Sequence, residues 1–428
     1  MTKKIIITIL AVLVMPHFVW TAEKAEGKAS AWHEKVSVGG ELRLRSESQL
    51  AYGGITGGVD NDSFVLSRAR THLDARPLDG LQVFIQPQFS RIFAQEESTI
   101  ANNGDAANGN NVFDLHQGYL NFQKIGGSPF SLKVGRQELV YGDERLVGAF
   151  GWSNIGRSFD AGKLRLEWDH FWLDGFFAWN EKAGGNEYFS GLYGSSEMNS
   201  SMTMEGYALL LRDNDGDGSA LQGLGLTLAT VGHRMVGNLL ENRIDYNTEM
   251  AMQVGKTEPN NHLAHAVHAA AGYNFETSTR PRFGLEANYA SGDDASTARI
   301  ERFHNLFPTN HTKYGYIDFV GWQNVIDAGP TFSLKPFNGA VVSLDYHLFL
   351  LPRVIDGLFR AAGTQLRAGA GGASRLAGHE VDLLGKYQWN KAVNFLLGYS
   401  LFKGGEFFST TGTNGTAHFL YTQTQVNF

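Results

Sequence analysis

The sequence predicts an all-β fold: a transmembrane antiparallel β-barrel of about 18 strands, with long extracellular loops and short periplasmic turns. Three observations predict it. Apolar and polar residues alternate in runs of about ten residues, the length a tilted strand needs to cross a bilayer. Short turn signals alternate with long polar or Gly-rich connections. The last run alternates throughout and stops on Phe428.

The N-terminus predicts the compartment. Lys3 and Lys4 precede an unbroken apolar run, Ile5–Val14, which Pro16 breaks. This reads as a secretory signal peptide over residues 1–22, too short to span a bilayer as a helix. Residues 23–34 are expected to form a periplasmic segment, and 35–428 the barrel, in the outer membrane of a Gram-negative bacterium. After Ala22 no long apolar run occurs, so the pattern excludes helical membrane spans. Cysteine is absent from the 428 residues, which excludes a disulfide framework and thiol chemistry. The net charge of −7 argues against nucleic acid as a partner.

The first strand alternates Val38, Leu42 and Leu44 with Glu41, Arg43, Arg45 and Glu47. The second sets Val65, Ala69, Leu73 and Ala75 against Arg68, Arg70, His72, Asp74 and Arg76. The third sets Leu81, Val83, Ile85 and Phe89 against Gln82, Gln86 and Gln88. Residues on alternate sides of a strand face opposite ways, so each run has a lipid face and a lumen face. Turn chemistry at Arg76–Gly80, Gly126–Pro129 and Lys335–Gly339 separates strands. Long connections are expected at 49–62, 95–111, 141–156, 293–318, 352–376 and 405–415. An even strand count requires a strand at Glu187–Ser195, and another is placed at Gly223–His233. Trp152, Trp168, Trp172, Trp179, Tyr188, Trp322, Tyr387, Trp389 and Tyr399 are expected near strand ends, at headgroup level. The terminal Phe428 reads as an assembly signal for the barrel assembly machinery.

Alternation also assigns the lumen. Arg43, Arg45, Arg68, Arg70, Asp74, Lys133, Lys163, Arg165, Glu249, Glu286 and His347 are expected on its wall. Paired charges would stiffen the barrel. Unpaired arginines would form a ladder for an anion, because the guanidinium fork binds both oxygens of a carboxylate.

Arg136, Arg145 and Arg157 cluster around one Gly- and aromatic-rich stretch, between strands expected at Ser131–Tyr141 and Arg157–Glu167. They are candidates for a pore constriction; Asp143, Glu144 and Asp160 are their candidate partners. Asp213, Asp215 and Asp217 resemble the start of a calcium loop, but Leu224 stands where a bidentate acid is needed. No other cofactor is expected. His262, His265 and His268 do not share a strand face, which argues against a metal site.

Several of these stretches resemble the alginate export family. They are Gly135-Arg136-Gln137, Gly142-Asp143-Glu144-Arg145-Leu146, Trp152-Ser153-Asn154 and Arg157-Ser158-Phe159-Asp160. Ser291-Gly292-Asp293-Asp294, Phe307-Pro308-Thr309-Asn310-His311 and Tyr346-His347 add to them. The resemblance implies an 18-stranded outer-membrane barrel that passes an acidic exopolysaccharide through an arginine-lined pore, with loops closing either end. It also implies a periplasmic secretion scaffold as a partner. The expected function is therefore a channel for an alginate-like polysaccharide or its oligosaccharides. A general or small-solute porin is the alternative, and a barrel enzyme acting on lipid or polysaccharide a third reading.

Overall fold

The computed structural model describes residues 35–58, 60–93, 112–182, 185–213 and 225–428. The expected signal peptide and the 23–34 segment lie outside the described residues. The wall begins with β1 (Val36–Leu50), β2 (Asp62–Leu78), β3 (Leu81–Phe93), β4 (Val112–Phe122), β5 (Phe130–Gln137) and β6 (Phe159–Trp168). It continues with β7 (Phe171–Lys182), β8 (Gly185–Asn199), β9 (Met202–Asp213), β10 (Leu226–Leu239), β11 (Ile244–Thr257), β12 (Asn260–Asn274) and β13 (Arg282–Ala290). After a two-residue strand, β14 (Arg299–Ile300), come β15 (Val325–Leu334) and β16 (Ala340–Leu350). A small hairpin, β17 (Leu358–Phe359) and β18 (Gln365–Arg367), precedes β19 (Leu376–Gln388), β20 (Val393–Gly404) and β21 (Thr416–Asn427).

Eighteen of these strands form a closed antiparallel barrel. β1 closes it by pairing with β21, and Gly40 and Phe428 exchange backbone hydrogen bonds of 2.8 and 3.0 Å. Closure is what a strand-built membrane protein requires, since hydrocarbon offers an open edge no partner. The outward rows are apolar: Val38 is 73% exposed and Leu285 69%. Side chains of opposite parity face the lumen.

Connections at one end are short. The two-residue turns at 79–80, 169–170 and 200–201 contrast with the connections at 138–158, 291–324 and 351–375 at the other end. This is the asymmetry the sequence predicts. The expected strands at 187–195 and 223–233 are real but longer, spanning β8 and β10. Two corrections concern the stretch around Arg145. β5 stops at Gln137 and β6 starts at Phe159, so the loop between them is longer than expected. That loop does not extend into solvent; it folds into the lumen.

The buried apolar core therefore lies inside the barrel. Tyr141 stacks on Tyr193 with centroids 4.5 Å apart, and Tyr193 stacks on Tyr207. Trp152, Trp172 and Trp322 belong to this interior packing and not to a headgroup belt. Trp168, Trp179, Trp389, Tyr387 and Tyr399 are exposed on the outward face. Their register leaves them at lipid, as amphipathic rings prefer.

Candidate pore and its two inner loops

Two loops fill much of the lumen. L3 (138–158) and L7 (291–324) pair with each other through a parallel bridge, Val147 with Phe307. Phe307 N donates to Leu146 O and Gly148 N to Phe307 O, both at 2.9 Å. Thr309 N donates to Glu144 O at 2.9 Å. Inside a barrel such backbone groups need partners, and the two loops supply them to each other.

The first two strands then hold L3 by its carbonyls. Arg43 donates to Gly151 O at 2.7 Å and Ser153 O at 2.8 Å. Arg45 donates to Trp152 O at 2.6 Å and pairs with Glu47. Arg68 pairs with Glu41 at 2.6 Å and donates to Ser153 O. Arg70 donates to Gln88 and to Ile155 O at 3.0 Å. All four side chains face inward, as the alternation predicts, and all four are buried. They anchor L3 in its present position.

Trp152 is clamped. The Arg45 guanidinium lies 3.6 Å from the centroid of the indole, and His311 stacks on it at 3.7 Å and 10°. Two groups that close must occupy opposite faces of the ring. His311 is held in turn by Asp318 at 2.7 Å.

Arg145 and Arg157 lie within this packing. Arg145 meets Asp143 at 3.3 Å and Glu286 at 3.1 Å, and donates to Tyr314 and Asn288. Burial opposes its charge, but Tyr314, Asp143 and Glu286 outweigh that and hold its pKa above the usual value. Asp143 shows the reverse balance: burial pushes the carboxyl up, and Arg145 and Lys313 bring it below the usual carboxylate range. Arg157 donates to Gly148 O of L3 and Pro308 O of L7, at 3.2 and 3.0 Å. Burial pushes it down to about 10, against the opposing pull of Glu187 and Glu144.

Arg136 does not join them. It pairs in register with Gly118 and Asp160, on the face that carries Val134, which is 47% exposed. It stands on the outward face near the long-loop end, 3.8 Å from Asp114. Sequence clustering placed it with Arg145 and Arg157, but strand alternation sends it the other way.

The remaining expected wall residues face the lumen. Asp74 accepts from Gln82 at 2.8 Å. Glu249 accepts from the Tyr207 hydroxyl at 2.8 Å. His347 lies 3.0 Å from Asp327 on the neighbouring strand. Below the inner loops, Lys133 and Lys163 are register partners on β5 and β6, and Ser131 pairs with Arg165. With Glu167 and Asn121 these basic groups line a cleft of about 940 Å³ at the short-turn end. Lys133 lies 4.3 Å over Tyr119, and Arg165 lies 4.3 Å over Trp172. Asp174 engages Lys163 and Arg165. Lys133 has no carboxylate partner among the described residues.

Sequence reasoning missed the clamp on Trp152, because parity carries no signal for a loop that turns inward. It also missed how the wall holds L7. Asp382 and Glu380 on β19 accept from the backbone N–H groups of Tyr316 (3.4 Å) and Ile317 (2.8 Å). On β4, His116 contacts Glu138 at 2.7 Å and Ser158 Oγ at 3.1 Å. The Ser158 hydroxyl donates to the His116 carbonyl, which makes the trio a tie between β4 and the two ends of L3. Asp213 is buried at the end of β9, while Asp215 and Asp217 lie outside the described residues. No set of three or more His, Asp or Glu among the described residues could hold a metal ion.

A closed eighteen-stranded barrel with an apolar outer face, a charged lumen and inward loops is an outer-membrane channel. The alginate export family model matches residues 34–421, and the chain belongs to that family. Among solved structures, the outer membrane protein OprD from Pseudomonas aeruginosa is similar, with a TM-score of 0.62 and 12% identity over 94% of this chain and 96% of that one. OccK3 (OpdO) from Pseudomonas aeruginosa has a TM-score of 0.61 and 12% identity, over 92% and 96% of the two chains. OpdQ from the same organism has 0.58 and 13%, over 92% and 98%. At these identities the likeness speaks for the fold. No curated protein matches the chain.

Proposed function

We propose that this channel carries an anionic saccharide: an alginate-like chain or, better suited to the filled lumen, its oligosaccharides. The observation that carries this reading is the cleft at the short-turn end. Lys133, Lys163 and Arg165 line it together with Asn121 and Glu167. A uronate offers one carboxylate per ring, an apolar ring face and hydroxyls. The cations suit the carboxylate, and Asn121 suits hydroxyls. In a wet cleft each Lys–carboxylate contact contributes under about 1 kcal/mol, so the solute can leave.

The inner loops favour the oligosaccharide over a long polymer. L3 and L7 are held by six arginines and by each other, so a polymer would require them to shift. Planar-bilayer recording tests the reading. Short uronate oligosaccharides should interrupt single-channel current in a concentration-dependent way, and neutral malto-oligosaccharides of equal length should not. Equal interruption by both would leave a small-solute porin without saccharide preference. No interruption by uronates would overturn the proposal.

A further inference from the structure

The outward face carries an arrangement that the transport reading does not use. At the long-loop end, one row of register partners crosses six strands, β8 to β12 and the short β14. Tyr188 pairs with Arg212, Arg212 with Thr227, Thr227 with Lys256, Lys256 with Asn261 and Asn261 with Arg299. Directly paired residues share a sheet face, so these side chains stand side by side along a line perpendicular to the strands, which the strand tilt inclines to the membrane plane. Two residues nearer the barrel's middle, the same face holds Leu210 and Val254, 44% and 41% exposed. At Arg212 and Lys256 the row therefore borders the apolar band on its long-loop side.

The two rims differ in charge. Among the described residues, every Lys or Arg on the outward face of a wall strand lies at the long-loop end: Arg91, Arg136, Arg212, Lys256 and Lys403. The short-turn rim presents Trp168, Phe171, Phe283 and Trp389 in their place. Aromatic rings suit a headgroup region of either charge. On the wall strands themselves, outward cations at the long-loop end alone suit an anionic layer on that side.

We propose that the row from Tyr188 to Arg299 binds the phosphate groups of an outer-leaflet phosphorylated glycolipid. Arg212 and Lys256 are two strands apart, roughly 10 Å along the row at the usual strand spacing. A disaccharide headgroup with a phosphate at each end can bridge them, its sugar lying across Thr227. Asn261 and Tyr188 add hydrogen-bonding groups at the flanks. The acyl chains run down over Leu210 and Val254. Arg299 is 3.1 Å from Glu301 and Arg212 also has an interaction within the protein, so Lys256 carries the least shared charge of the row.

The test uses the full chain in nanodiscs of phosphatidylcholine doped with one of three lipids: diphosphorylated lipid A, monophosphorylated lipid A or phosphatidylglycerol. Co-purified lipid is counted by native mass spectrometry. Retention should be strongest for the diphosphorylated lipid. Lys256→Gln should lower it about fivefold, and Arg212→Gln with Lys256→Gln about twentyfold. Lys335→Gln, in a turn at the opposite end, should leave it unchanged. Heat-modifiable migration on gels identifies folded barrel, and Lys256→Gln alone decides if the double variant fails to assemble. Equal retention of phosphatidylglycerol, or full retention by the folded Lys256→Gln variant, would overturn the proposal.

Discussion

The Arg45 guanidinium sits 3.6 Å from the Trp152 ring centroid, on the face opposite His311. One indole thereby joins the barrel wall, L3 and L7. Replacing Trp152 by Ala removes a cation–π contact and a stacked pair, together about 1–3 kcal/mol of loop anchoring. Single channels of the variant should conduct more and fluctuate more. Conductance and noise identical to the parent would mean that the backbone pairing alone holds the loops.

Arg145 is the charged centre of the same packing. Its loss leaves Asp143 and Glu286 facing each other without their shared cation, a change worth about 3–5 kcal/mol when charges are buried. Arg145→Met should therefore lower the urea midpoint of unfolding strongly. Adding Asp143→Asn and Glu286→Gln to it should recover part of the loss. Arg157→Met strips donors from two carbonyls and no carboxylate, so its cost should be smaller, about 1–3 kcal/mol. Equal destabilisation by the two single variants would contradict this ranking.

The fold was legible because alternation is a local property of the chain. Val38, Leu42 and Leu44 against Arg43 and Arg45 fix a face without any tertiary knowledge, and the wall follows from repetition. The sites were less legible. Arg43, Arg68 and Arg70 were correctly sent inward, but nothing local shows that a loop about 85 to 110 residues downstream supplies their acceptors. Arg136 and Arg145 are near in sequence and stand on opposite sides of the wall, because a strand end lies between them. Trp152 and Trp322 read as interface aromatics because composition cannot separate a ring at lipid from a ring packed inside a loop.

Asp143 makes the loop packing acid-sensitive. Arg145 and Lys313 outweigh burial and hold its carboxyl below the usual carboxylate range. A depressed folded value means that its contribution is fully present above the unfolded value, about 3.9. The contribution is lost as pH falls through the folded value. Channels should thus be steady near neutral pH and loosen only below about pH 4. Asp143→Asn should already be loosened at pH 7 and show a smaller further change in acid. A parent-sized acid transition in that variant, read as conductance against pH, would assign the effect elsewhere.

The last prediction concerns selectivity. With Arg43, Arg45, Arg68 and Arg70 engaged by L3, and Arg145 and Arg157 locked between the loops, the lumenal cations most available to a passing anion among the described residues are those at the short-turn end. Lys133 and Lys163 are register partners there, and Asp174 pairs with Lys163 and Arg165 but not with Lys133. Lys133→Glu should therefore reduce anion over cation permeability, and the double change with Lys163→Glu should reverse it. Each reversed charge acts through water, so the single effect should be under about 1 kcal/mol. It should shrink as ionic strength rises from about 0.1 to 1 M, where the screening length falls from roughly 10 to 3 Å. Reversal potentials in a salt gradient measure this directly. The contrast with the loop arginines is the discriminating part. Arg157→Met, scored only on folded channels, should alter noise and stability while leaving the permeability ratio near the parent value. A shift in that ratio as large as the one from Lys133→Glu would move the selectivity-determining charge back into the inner loops.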